Sequence, residues 1–85
     1  MRIFYSSKFE REYKRVPLRV KEKTEKLETL FRADPFDTKL KTHKLHGKLA
    51  GYRAFWIDRK YRIIFEFVDD EVVWFHAIGN HSIYG

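Results

Sequence analysis

Four histidines, His43, His46, His76 and His81, carry most of the acid–base potential of this chain. Imidazole titrates at about pH 6.5, so histidine is the usual proton donor or acceptor in a neutral-pH enzyme. His43 and His46 lie in Thr42-His43-Lys44-Leu45-His46-Gly47, and His81 lies in Gly79-Asn80-His81-Ser82-Ile83-Tyr84. His76 sits near Trp74 and Ile78 in an apolar run and reads as a packing residue. The chain has no cysteine, which removes thiolate metal sites and disulfides. His43 and His46 are three apart, but no helix is expected there, and a catalytic zinc would need a third ligand from afar. No Ser-His-Asp pattern and no Gly-rich phosphate loop is present. Neither a metal nor another cofactor is expected. Histidines, cations and a tyrosine remain, a set suited to RNA cleavage by transesterification. A base takes the 2′-OH proton, the oxygen attacks phosphorus, an acid protonates the departing 5′ oxygen, and cations hold the charge on the phosphate. DNA lacks the 2′-OH, so this chemistry selects RNA.

Charge points to the same kind of partner. The net charge is +6, and it is unevenly spread. Between positions 39 and 62 stand Lys39, Lys41, Lys44, Lys48, Arg53, Arg59, Lys60 and Arg62, against Asp58 alone. From Ile63 onward there is no Lys or Arg, and the acids are Glu66, Asp69, Asp70 and Glu71. A polyanion such as nucleic acid is a natural partner for the basic middle. Solubility alone would also explain scattered surface cations.

These residues need a scaffold. The chain has 85 residues, which suits one domain over 1–85. Eight Phe, five Tyr and two Trp supply large buried areas for so short a chain. No apolar run reaches the roughly 18 residues of a membrane span, and no signal peptide is visible. A cytoplasmic protein without membrane contact is the expectation.

Residues Arg2 to Tyr5 read as a strand. Ser7-Lys8-Phe9-Glu10 fits a capping box, and Phe9, Tyr13 and Val16 follow on one helical face. Pro17 divides this helix from a second, from about Leu18 to Arg32, with Val20, Leu27, Leu30 and Phe31 apolar. Asp34-Pro35 ends it. Residues 34–50 form a polar, basic connection. Three strands follow, Tyr52 to Asp58, Tyr61 to Val68 and Glu71 to Ile78, joined by turns at Asp58-Arg59-Lys60 and Asp69-Asp70. In the middle strand Tyr61, Ile63, Phe65 and Phe67 make the core face. Arg62, Ile64 and Glu66 point the other way, which leaves Arg62 toward solvent. An Arg62–Glu66 pair on that face is the plain alternative to a role in binding. Trp56 and Trp74 read as packing residues, with base stacking open to Trp56. The expected fold is α+β in the order β-α-α-β-β-β, a helical hairpin on one face of a mainly antiparallel four-stranded sheet.

Three segments resemble the RelE/ParE toxin superfamily of bacterial and archaeal toxin–antitoxin systems, in particular its YafQ-like and YoeB-like ribosome-dependent mRNA interferases. The first, His43-Lys44-Leu45-His46-Gly47-Lys48-Leu49-Ala50-Gly51-Tyr52-Arg53, is similar to the H-x-L-x-G…G-x-R stretch of that superfamily. Tyr61-Arg62-Ile63-Ile64-Phe65 is similar to its y-R-l-i-y strand. Ile78-Gly79-Asn80-His81-Ser82-Ile83-Tyr84 is similar to its I-G-x-H-x-x-Y tail.

The resemblance implies a type II toxin that cleaves mRNA on the ribosome and inhibits translation. It implies His43 at the position of a catalytic histidine or glutamate base, with His46 as the other candidate base. His81 falls at the general acid, Arg62 at the arginine that holds the scissile phosphate, and Tyr84 near a substrate-orienting terminal aromatic. Lys44, Lys48, Arg53, Arg59 and Lys60 become backbone contacts, which position RNA without reading it. The resemblance also implies a cognate antitoxin, and operator DNA bound only through the toxin–antitoxin complex. Three departures stand out: Trp56 replaces a histidine and Lys60 an aspartate of the YafQ-like site, and the tail aromatic sits one residue closer to His81. ParE-type members poison DNA gyrase without nuclease chemistry, and that reading stays open beside cleavage. So does a module without activity that serves only autoregulation.

Overall fold

The computed structural model describes residues 1–80. Its elements are β1 (Arg2–Tyr5), α1 (Ser7–Arg15), α2 (Leu18–Ala33), β2 (His43–Lys44), β3 (Arg53–Trp56), β4 (Tyr61–Phe67) and β5 (Val72–Asn80). Short 3-10 turns cover Thr38–Leu40 and Gly47–Leu49. The strands form one sheet in the order β1-β5-β4-β3-β2. β1 runs parallel to β5, and the other pairs are antiparallel. Two helices on one side of this mixed sheet make the expected α+β fold, with one strand more than the expected β-α-α-β-β-β order.

The sheet has a fifth strand that the sequence pattern did not announce. His43 pairs with Ala54 and Lys44 with Arg53, inside the segment read as a connection. Two residues are too few to display an alternation of period two. β5 also runs on to Asn80, past the expected end at Ile78, with Gly79 opposite Arg62 and Asn80 opposite Tyr61. The register shifts between Ile64 and Phe65, which pair with Ala77 and Phe75, so His76 is the extra residue of a bulge.

The cap of α1 is Ser6, one residue before the expected Ser7. Ser6 is extended (φ −68°, ψ 159°) and its Oγ accepts from Phe9 N at 2.9 Å. The reason lies in the sheet: Ser6 N donates to Phe75 O and its hydroxyl to His76 O, so β5 holds this residue outside the helix. Glu10 thereby stands beyond the capping-box position. α1 packs against β5, and Val16 and Pro17 turn the chain into α2. Asp34 N donates to Leu30 O where α2 ends.

The core is aromatic. Phe31 of α2, Phe55 of β3, Phe65 of β4 and Phe75 of β5 are all fully buried. The Phe31 ring stacks on Phe55 at 5.0 Å and meets Phe65 and Phe75 edge-on at 5.0 and 5.5 Å. One side chain thus clamps three neighbouring strands to the helical layer. Phe9, Val16, Val20, Leu40, Ile57, Ile63, Val73 and Ile78 complete the cluster.

Truncating Phe31 removes contacts to all three strands. Phe31→Ala should cost about 3–5 kcal/mol, a large share of the roughly 5–15 kcal/mol available to a small domain. Urea unfolding should show a midpoint far below that of the parent, with Phe31→Leu in between. Parent-like midpoints for both variants would remove Phe31 from its central place.

Candidate functional site

The core face of the sheet fixes what stands on the other face. Phe55, Ile63, Phe65, Phe75 and Ile78 point to the helices, so Ala54, Trp56, Arg62, Ile64, Ala77 and Gly79 alternate outward. His43 joins them through its pairing with Ala54. Arg62 lies opposite Trp56 on one side and Gly79 on the other. His43 and Arg62 therefore lie on either side of β3, two strand spacings apart across the sheet and two residues apart along it, roughly 12 Å in all.

Arg62 is on the expected face but not in the expected environment. It is 7 % exposed. Its guanidinium carbon lies 3.8 Å from the Trp56 ring centroid, and its Nη1 donates to Asp58 O at 2.6 Å and Tyr61 O at 3.1 Å. Trp56 and the β3–β4 turn cover it, which a strand pattern cannot foretell. The Arg62–Glu66 pair does not form. Glu66 Oε1 lies 2.9 Å from His76 Nε2, and His76 is further enclosed by Tyr52 and Trp74. Among the described residues no carboxylate bonds the Arg62 guanidinium.

The turn that holds Arg62 is organised by Asp58. Its Oδ1 accepts from the N–H groups of Lys60 and Tyr61 at 2.8 and 2.7 Å, and its Oδ2 pairs with Arg19 at 3.1 Å. Burial alone would raise this carboxyl. The N–H groups of Tyr61 and Lys60 and the Arg19 guanidinium outweigh it and hold the pKa below the ordinary 3.8.

His43 Nδ1 lies 2.9 Å from Lys41 O. A carbonyl oxygen only accepts, so the contact is a hydrogen bond when Nδ1 carries the proton. In the neutral ring that leaves a free lone pair on Nε2. Lys41 makes this approach from a left-handed conformation (φ 53°), while its ammonium lies 4.2 Å from the Trp56 ring centroid. Trp56 thus carries two cations, Lys41 and Arg62. Lys41 had no motif to mark it in the sequence; only the positive-φ turn and the Trp56 contact bring it to the site.

The remaining sequence candidates fall into separate places. His46 is exposed at the start of the Gly47–Leu49 turn, and no ring hydrogen bond forms among the described residues. Arg59 and Lys60 are exposed on the β3–β4 turn beside Arg62. Arg53 alternates to the helical side, 5.1 Å from the Phe67 ring, and Lys44 pairs with it there. Lys48 borders a cleft with α1. His81 and Tyr84 lie outside the described residues. Among the described residues no three histidine or carboxylate side chains gather as a metal site, and no helix is long and apolar enough to cross a membrane.

Comparison with solved structures defines the class. YafQ from E. coli strain BL21(DE3) superposes with a TM-score of 0.81 at 24 % identity, over 96 % of this chain and 94 % of that one. A YoeB/ParE toxin from Agrobacterium tumefaciens gives 0.79 at 21 %, over 95 % and 99 %. The toxin-containing E. coli DinJ–YafQ toxin–antitoxin complex gives 0.79 at 26 %, over 96 % and 93 %. Among curated proteins none matches. The fold is that of the RelE-like toxins. The family model described as a bacterial toxin of type II toxin–antitoxin systems, YafQ, matches residues 1–84, and the chain belongs to that family.

The Asp58 turn is testable through pH. A lowered folded-state pKa contributes stability above the unfolded value near 3.8, and that contribution is lost as pH falls through the folded value. Asp58→Ala should therefore lower the melting temperature at pH 7, by roughly 5–10 °C for a loss of about 1–2 kcal/mol. The gap between variant and parent should narrow as pH drops below 3.8. A gap that stays constant from pH 7 to pH 3 would show that the ionised carboxylate does not support the turn.

Proposed function

We propose that this toxin is an mRNA endoribonuclease that cuts by 2′-OH transesterification in ribosome-bound message and so inhibits translation. The observation that carries the reading is Arg62. A buried guanidinium is costly unless it is paired, and this one is held by carbonyl oxygens and an indole with its charge left uncompensated by any described carboxylate. A phosphate supplies the missing anion, and a planar guanidinium suits it as a forked donor. His43, across β3 on the same face, supplies the base through Nε2. His81 follows Asn80, which pairs with Tyr61 beside Arg62, and is assigned the acid. Tyr84 is assigned to orienting the substrate. Arg59 and Lys60 at the turn contact the RNA backbone, while Lys44 and Arg53 on the helical side contact it only at the sheet edge.

In this reading a cognate antitoxin holds the toxin silent, as DinJ assembles with YafQ in the complexes that resemble this chain. Operator DNA is met through that complex, and the site of action is the cytoplasm. The antitoxin would carry opposite charge, to match the +6 chain.

Primer extension on mRNA in a cell-free translation reaction tests the proposal. The parent should cut within ribosome-bound codons. Arg62→Ala and His81→Ala should each lower the cleavage rate by roughly 100-fold or more, and Arg62→Lys should restore little, because an ammonium lacks the planar fork. His43→Ala should fall similarly, with His46→Ala near the parent; the reverse order would move the base to His46. No cuts by the parent, with growth arrest persisting in cells, would overturn nuclease action and favour a gyrase-binding toxin.

A further inference from the structure

We propose that α1 gives this toxin a second RNA subsite, a cleft in which Lys8, Arg11 and Lys48 take the phosphate backbone of the strand that leaves Arg62. The inference rests on the nuclease reading and extends it to Lys8 and Arg11, residues outside the three motifs of the sequence.

The cleft lies where α1 and the Gly47–Leu49 turn rise on either side of the open sheet face, and it has a volume of about 440 Å³. Lys8 and Arg11 stand on one wall and Lys48 on the other, while Ile64 and Ala77 make the floor. Those floor residues pair with each other across β4 and β5, as Arg62 and Gly79 do two positions further on. The cleft therefore begins one pleat repeat, roughly 7 Å, from the Arg62 position, on the same face. A single strand anchored at Arg62 and lying along β4 enters it directly.

The charges in the cleft are available. Among the described residues Arg11 and Lys48 form no ion pair, and both are exposed. Lys8 pairs with Glu12 at 3.0 Å, a surface i,i+4 contact of little strength, and the other Glu12 oxygen accepts from Ile78 N. The carboxylate on the sheet face, Glu66, is occupied by His76. Two walls of cations around an apolar floor, with the half-buried Tyr52 ring at its side, form a single-strand site: cations track the backbone and the aromatic offers a stacking surface.

The test measures binding of uncleavable 2′-O-methyl RNA by fluorescence anisotropy at low salt, with a trimer and a nonamer of the same sequence. The parent should bind the nonamer more tightly than the trimer, because only the longer strand spans Arg62 and the cleft. The Lys8→Gln, Arg11→Gln, Lys48→Gln triple variant should lose roughly tenfold or more for the nonamer and little for the trimer. Its salt dependence should flatten by about 0.7 per phosphate contact removed. All three positions are exposed, so its thermal melt should match the parent and report an intact fold. Arg62→Ala should weaken both oligomers. A triple variant that keeps the parent's preference for the nonamer overturns the subsite. Loss of antitoxin binding in that variant would then assign the cleft to an acidic protein segment. Cleavage of message by the parent is read separately. If cleavage is present while the length effect is unchanged by the variant, the subsite alone fails; if cleavage is absent, the nuclease reading fails by itself.

Discussion

The clamp of Phe31 on three strands is the constraint on which the rest depends. Phe55, Phe65 and Phe75 must all face α2 for their rings to meet Phe31 within 5.0–5.5 Å. Side chains alternate along a strand, so this packing dictates the opposite face residue by residue. A slip of one position in β4 would turn Arg62 and Glu66 in among the core phenylalanines and carry Ile63 and Phe65 to the opposite face. The cost of burying those charges unpaired adds to the lost apolar burial, so register and site placement are one decision. The bulge at His76 adjusts this scheme locally: it lets Phe75 stay in the core while Ala77 returns to the open face opposite Ile64.

Much of this was legible in the chain. The alternation of Tyr61, Ile63, Phe65 and Phe67 defined the core face of β4, and the spacing of Val20, Leu27, Leu30 and Phe31 defined the buried side of α2. Pro17 and Asp34-Pro35 marked the helix ends by rules that act within a few residues. What stayed hidden depended on contacts between distant segments. β2 exists because β3 offers it an edge, and its two residues carry no pattern. Ser6 is the cap because β5 holds it, although Ser7 satisfies the local motif equally well. The open face of the sheet was deducible, but the burial of Arg62 required knowing that Trp56 pairs with it and that the Asp58 turn folds back over it.

The same limit applies to the candidate site. Motif and charge together singled out His43 and Arg62, and the sheet brings them to one face. Lys44 and Arg53 belong to the same basic stretch, yet period-two alternation sends them to the helical side. A count of cations along the sequence cannot make that division; a register can. Lys8 and Arg11 were invisible for the opposite reason. They sit in a helix far from any motif and reach the sheet face only because α1 packs on β5.

The polar contacts on the open face follow a rule that separates structural groups from available ones. His76 is held by a carboxylate, Glu66, in a half-buried pair, and its imidazole is committed to that partner. Arg62 and His43 are held by backbone carbonyls, at Asp58, Tyr61 and Lys41. A carbonyl fixes orientation without cancelling charge. It leaves the guanidinium cationic and, in a neutral ring with Nδ1 donating, leaves a lone pair on imidazole Nε2. Trp56 serves the same end, since an indole face attracts a cation without neutralising it. Holding uncompensated charge in this way lowers stability, and the dense aromatic core offsets it. A carboxylate at position 56 would strengthen the local fold by pairing with Arg62, and by that pairing would compete with any phosphate for the same donors.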